Sequence, residues 1–88
     1  IVWDESESSN AGCCKGPTGV QGTALGGGNV PIIVITSSGP RHISLGRASY
    51  NHYSLLATIE SLWNLGCLAN TCGISGANLL TPLFRPGT

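Results

Sequence analysis

The chain has little charge. Lys, Arg, Asp and Glu make up 9% of its 88 residues and sum to zero. Lys15, Arg41, Arg47 and Arg85 are scattered, so there is no basic stripe to follow a nucleic-acid backbone or an anionic membrane. No apolar run approaches the length of a membrane span. There is no Asn-x-Ser/Thr sequon and no C-x-x-C pair; without the latter, and with two His poorly placed to help, a zinc site is not supported. Neither G-x-G-x-x-G nor G-x-x-x-x-G-K-[ST] occurs, so Gly26-Gly27-Gly28 is not a phosphate-cradling loop of either kind. No G-x-S-x-G elbow is present, and neither His is spaced with Ser and Asp to announce a triad. The chain also holds no Met and no signal peptide; Ile1 already reads as part of a strand, so partner strands are expected in further sequence.

What the chain does have is glycine, serine and four cysteines, a combination that fits a secreted protein better than a cytosolic one. Cys67 and Cys72 flank a four-residue loop and are expected to pair with each other. Cys13 and Cys14 are neighbours; they either form a strained vicinal bridge or pair with chain outside this segment.

Residues 6–29 show no hydrophobic period and read as one long loop, with room for a hairpin at 19–25. Residues 30–35 are continuously apolar and predict a central strand covered on both faces, with Pro31 placed where no ladder donor is required. Arg41, His42 and Arg47 form the densest positive patch, either a solvated loop or a face for an anionic ligand. A helix is predicted over residues 51–65, with Asn51 as N-cap, Gly66 as the left-handed C′ residue, and Leu55, Leu56, Ile59, Leu62 and Trp63 on one face. Ser54, Thr58, Glu60 and Ser61 occupy the remainder. Around residues 76–80 a further helical turn is expected, with Leu79, Leu80, Leu83 and Phe84 burying against the sheet or helix.

The candidate chemistry lies at the start. Ile1-Val2-Trp3 reads as a buried strand that ends in Asp4-Glu5. In a regular strand these two carboxylates would point to opposite faces, but at a strand end both can turn to one site, where open α/β sheets bind ligands. Such a pair suits a divalent metal ion or acid/base work; otherwise it begins a solvated loop. His52, in the first helical turn, is either catalytic or structural.

Three blocks then resemble a known family. They are Val2-Trp3-Asp4-Glu5, Gly28-Asn29-Val30-Pro31-Ile32-Ile33-Val34-Ile35, and Tyr50-Asn51-His52-Tyr53-Ser54-Leu55-Leu56-Ala57-Thr58-Ile59-Glu60. In this order they are similar to the C-terminal part of the phosphoesterase family of secreted acid phosphatases and non-specific phospholipases C, in the alkaline-phosphatase-like superfamily. The tail Asn78-Leu79-Leu80-Thr81-Pro82-Leu83-Phe84 resembles the family's closing segment.

The resemblance implies an α/β fold: the C-terminal part of a layered αβα domain with a largely parallel central sheet, residues 1–88 being incomplete on their own. It implies phosphoric ester hydrolysis, with Asp4 and Glu5 as catalytic and metal-holding residues, a divalent metal ion as cofactor, and a phosphate ester or phospholipid head group as substrate. His52 matches the family helix and is assigned to orienting its start. The family's Glu-Asn motif and its Ser or Thr nucleophile are not in this chain, so the N-terminal remainder of the same protein is the expected partner. The Gly-rich Asp-His-Val run of some members is also missing, which favours the acid-phosphatase type. The alternative is a non-catalytic secreted binding or assembly module with the same architecture.

Overall fold

A computed structural model describes residues 1–6, 12–13, 26–37 and 48–84. Most of the long loop, Cys14, the Arg41–His42–Arg47 patch and residues 85–88 lie outside the described residues.

The helix α1 spans His52–Leu62. Its start follows from Asn51. The Asn51 side-chain oxygen accepts from the Ser54 amide at 3.0 Å, and the Ser54 hydroxyl accepts from the Asn51 amide at 3.1 Å, a reciprocal capping box. Its end comes three residues earlier than expected. Asn64 takes the left-handed conformation at φ +56°, the Leu65 amide donates to the Glu60 carbonyl at 2.9 Å, and the Asn64 amide donates to that of Ser61 at 3.3 Å. This is the Schellman arrangement, which Asn supports as well as Gly. Gly66 also has positive φ, but lies beyond the cap.

Two 3₁₀ turns follow, Ala69–Gly73 and Gly76–Asn78, and then the short helix α2, Thr81–Phe84. Cys67 and Cys72 are bonded to each other, with their Cα atoms 5.0 Å apart. Inside that loop the Thr71 hydroxyl accepts from the Leu68 amide and donates to its carbonyl. Cys13 is disulfide-bonded as well, to a partner outside the described residues.

Two expectations are corrected. The first is the parallel central sheet. Among the described residues there is no named strand, only one antiparallel bridge between Val2 and Ile32. Ile1 and Ile33 exchange both backbone hydrogen bonds, at 2.7 and 2.8 Å. Continuing this register would pair Trp3 with Pro31, which has no amide hydrogen to donate, so the ladder stops there. The 30–35 run is also not covered on both faces: Val30, Ile32 and Val34 are half-buried, but Ile33 and Ile35 are 47% and 79% exposed.

The second correction concerns the inward side of α1. The leucine-bearing face is turned outward, with Leu56 and Trp63 42% and 67% exposed, and the buried residues are Ser54, Ala57, Thr58 and Glu60. The reason is a satisfied polar seam. The Thr58 hydroxyl, fully buried, donates to the Ser54 carbonyl at 2.6 Å and accepts from the Leu80 amide at 2.8 Å. That bond fastens the tail across the helix and buries Leu80. Asn78 extends the seam through a 2.6 Å bond to the Ser49 carbonyl. Buried polar groups are tolerated when paired in this way. Glu60 is the exception, since its Oε1 is buried with no hydrogen-bond partner.

No helix among the described residues is long and apolar enough to cross a membrane.

Candidate functional site

The chain bends at Asp4, as the end of the pairing requires, and Asp4 and Glu5 are both exposed. The Asp4 carboxylate accepts from the Glu5 amide at 2.9 Å. Its main-chain oxygen meets His52 Nε2 at 3.0 Å. A carbonyl oxygen can only accept, so Nε2 carries the proton, and in the neutral ring the Nδ1 lone pair is left over. His52, at the first position of α1, therefore meets the main chain of Asp4 at the bend that carries the carboxylate pair.

Two further contacts hold the bend. The Ser6 amide donates to the Gly27 carbonyl at 2.5 Å. A Cβ on Gly27 would lie 2.7 Å from Glu5 Cβ and 3.3 Å from its Cα, so only glycine lets this segment lie flat on Glu5. The glycine run read only as backbone permissiveness; its role is close approach. On the helix side, the Asn51 side-chain amide donates to the Cys13 carbonyl at 2.8 Å, tying the cap to a disulfide-bonded residue.

Behind these contacts lies a pocket of about 350 Å³. Val2 and Ile32 of the bridge, Gly12, Cys13, the run from Gly26 to Val30, the helix-start residues Tyr50, Asn51, His52, Tyr53 and Leu55, and Leu80 line it. Tyr50, Tyr53 and Leu55 went unrecognised as site residues, because an aromatic pair around a helix start carries no signal that separates pocket from core.

Asp4 and Glu5 were expected to hold a divalent ion. They supply two carboxylates, and the nearby imidazole spends its Nε2 on a main-chain carbonyl. Among the described residues no group of three or more His, Cys, Asp or Glu could hold a metal ion.

No family model, no curated protein and no solved structure matches the chain.

Proposed function

We propose that this chain contributes a carboxylate pair, Asp4 and Glu5, to the active site of a secreted phosphoric ester hydrolase of the acid-phosphatase type. The reading is supported by one observation above the others. Val2, two residues before Asp4, residues 28–30 with Ile32, and the start of α1 belong to the three blocks of the resemblance and line one pocket, and His52 Nε2 meets the Asp4 main chain beside it. The disulfide between Cys67 and Cys72 is in keeping with an oxidising, extracellular setting.

Hydrolysis breaks the ester P–O bond, brings a water oxygen to phosphorus and moves a proton to the leaving alcohol oxygen. Asp4 and Glu5, exposed beside the pocket, serve as acid and base in that proton traffic. His52 holds the Asp4 main chain in place rather than carrying the proton at Nε2. Each carboxylate repels a phosphate charge by about 1 kcal/mol at 4 Å in a water-like medium, so a cation must accompany the substrate. All four Lys and Arg lie outside the described residues.

The test is hydrolysis of a generic phosphate monoester by the protein as isolated, together with any chain that co-purifies. Asp4→Asn is expected to lower kcat by about 10²- to 10⁴-fold. Full activity in the Asp4→Asn, Glu5→Gln double variant would end the site assignment.

A second reading, a non-catalytic assembly module, draws on a different observation: Leu56, Ile59, Leu62 and Trp63 present a continuous apolar face to solvent. It expects no hydrolysis under any condition, and association that is lost when this face is made polar.

A further inference from the structure

We propose that the pocket beside the Asp4-Glu5 bend receives a neutral aromatic group of one or two rings, with its hydroxyl oxygen at His52. The assignment of that group as the organic half of an ester rests on the hydrolase reading; its binding does not.

Size comes first. A dry cavity of about 150 Å³ accommodates benzene. At about 350 Å³ this pocket has room for roughly two fused rings, and it falls within the range of ordinary small-molecule sites. It is too small for a folded partner or a pair of acyl chains.

The walls decide the chemistry. Val2, Val30, Ile32, Leu55 and Leu80 line the pocket with carbon. Tyr50 and Tyr53 add two ring faces or edges, and aromatic pairs gain about 0.5 to 1.5 kcal/mol beyond their buried area. No Asp, Glu, Lys or Arg is among the described lining residues, so a charged group placed there would find no counter-ion among them.

The polar handle fixes orientation. Asn51 also lines the pocket, but its side-chain amide and oxygen are committed to Cys13 and Ser54. His52 differs: Nε2–H is committed to Asp4, and Nδ1 makes no hydrogen bond among the described residues. With the ring neutral, Nδ1 can accept from one O–H. A phenolic or naphtholic hydroxyl supplies that donor on an otherwise apolar ring.

The experiment uses 2-naphthol and, separately, inorganic phosphate, each titrated into the unmodified protein and followed by NMR. Naphthol is expected to show NOEs to the Tyr53, Leu55 and Leu80 side chains. Leu55→Trp, which fills the pocket, is expected to weaken naphthol binding by at least about tenfold, equivalent to roughly 1.4 kcal/mol. Leu56→Trp, on the exposed face, is expected to leave it unchanged. His52→Phe keeps the ring but removes Nδ1, and is expected to make benzene-like probes and naphthol bind alike.

Naphthol binding without any hydrolysis of naphthyl phosphate would uphold the pocket and overturn the hydrolase reading. Hydrolysis of simple phosphate monoesters with no NOE from naphthol to these three side chains would overturn the pocket assignment and leave the hydrolase reading standing. Because the NOEs are read on the unmodified protein, a Leu55→Trp variant that fails to fold does not remove the test.

Discussion

On the inward side of α1, Ser54 and Thr58 have no exposed surface, and their hydroxyls are paired with the helix cap, the helix backbone and the tail. On the outward side, Leu56, Ile59, Leu62 and Trp63 keep between about a third and two thirds of their surface in water. The usual allocation is reversed over one helix of 11 residues. A hydrophobic stripe shows that a segment is helical and that one side differs from the other. Which side turns inward depends on what the rest of the chain offers. Here the tail brings a backbone amide at Leu80 that needs an acceptor, and Thr58 supplies it. The leucine stripe finds no such fixed counterpart among the described residues.

The largest effect that could break this comparison comes from Thr58. Thr58→Val keeps the shape and removes the hydroxyl, leaving the Leu80 amide buried without an acceptor. A loss of about 2 kcal/mol in urea unfolding is expected, within the range for orphaning a buried donor. Thr58→Ser, which keeps the oxygen, is expected to lose less than the Val variant. A neutral Thr58→Val, within about 0.5 kcal/mol, would mean that the polar face is solvated and the helix is turned the other way.

Glu60 sharpens the same comparison with the opposite sign. It is the member of the inward face whose oxygen is not paired. Glu60→Met conserves length, removes the unsatisfied oxygen and adds apolar contact. It is expected to raise stability by about 1 kcal/mol, because replacing an uncompensated polar group by one of similar shape returns its desolvation cost. A loss of stability instead would show that the carboxylate has a partner of its own, and that the inward face is paired throughout.

Local chemistry was the most legible part of the sequence. The Asn51 cap, the Cys67–Cys72 bridge and the turn at Gly76–Asn78 each depend on residues within a few positions of one another. The orientation of pairing was not legible, since a continuously apolar run such as 30–35 is compatible with either direction. The position of Pro31 opposite Trp3 matters only once the antiparallel register is known. Asp4, Glu5 and His52 were recognisable as candidates, but the contact between them was not, because 48 residues separate Asp4 from His52. Gly27 belongs to the same class: its need for glycine arises from Glu5 lying against it, a partner 22 positions away that no local rule names.

The smallest effect is expected on the outward face, and there the absence of a stability change carries the information. Trp63, 67% exposed, follows the last residue of α1 and contributes its backbone amide to the Ile59 carbonyl. Trp63→Gln keeps that bond and removes most of the aromatic surface. In the isolated chain it is expected to shift stability by less than about 0.5 kcal/mol, as for other exposed substitutions. Sedimentation of the same variant then separates the two functional readings. If the wild-type protein associates and Trp63→Gln does not, the outward stripe is an assembly surface and its exposure in the single chain is the open half of an interface. If stability falls by about 2 kcal/mol with no change in sedimentation, the indole is buried within its own chain and the contrast between the two faces of α1 fails.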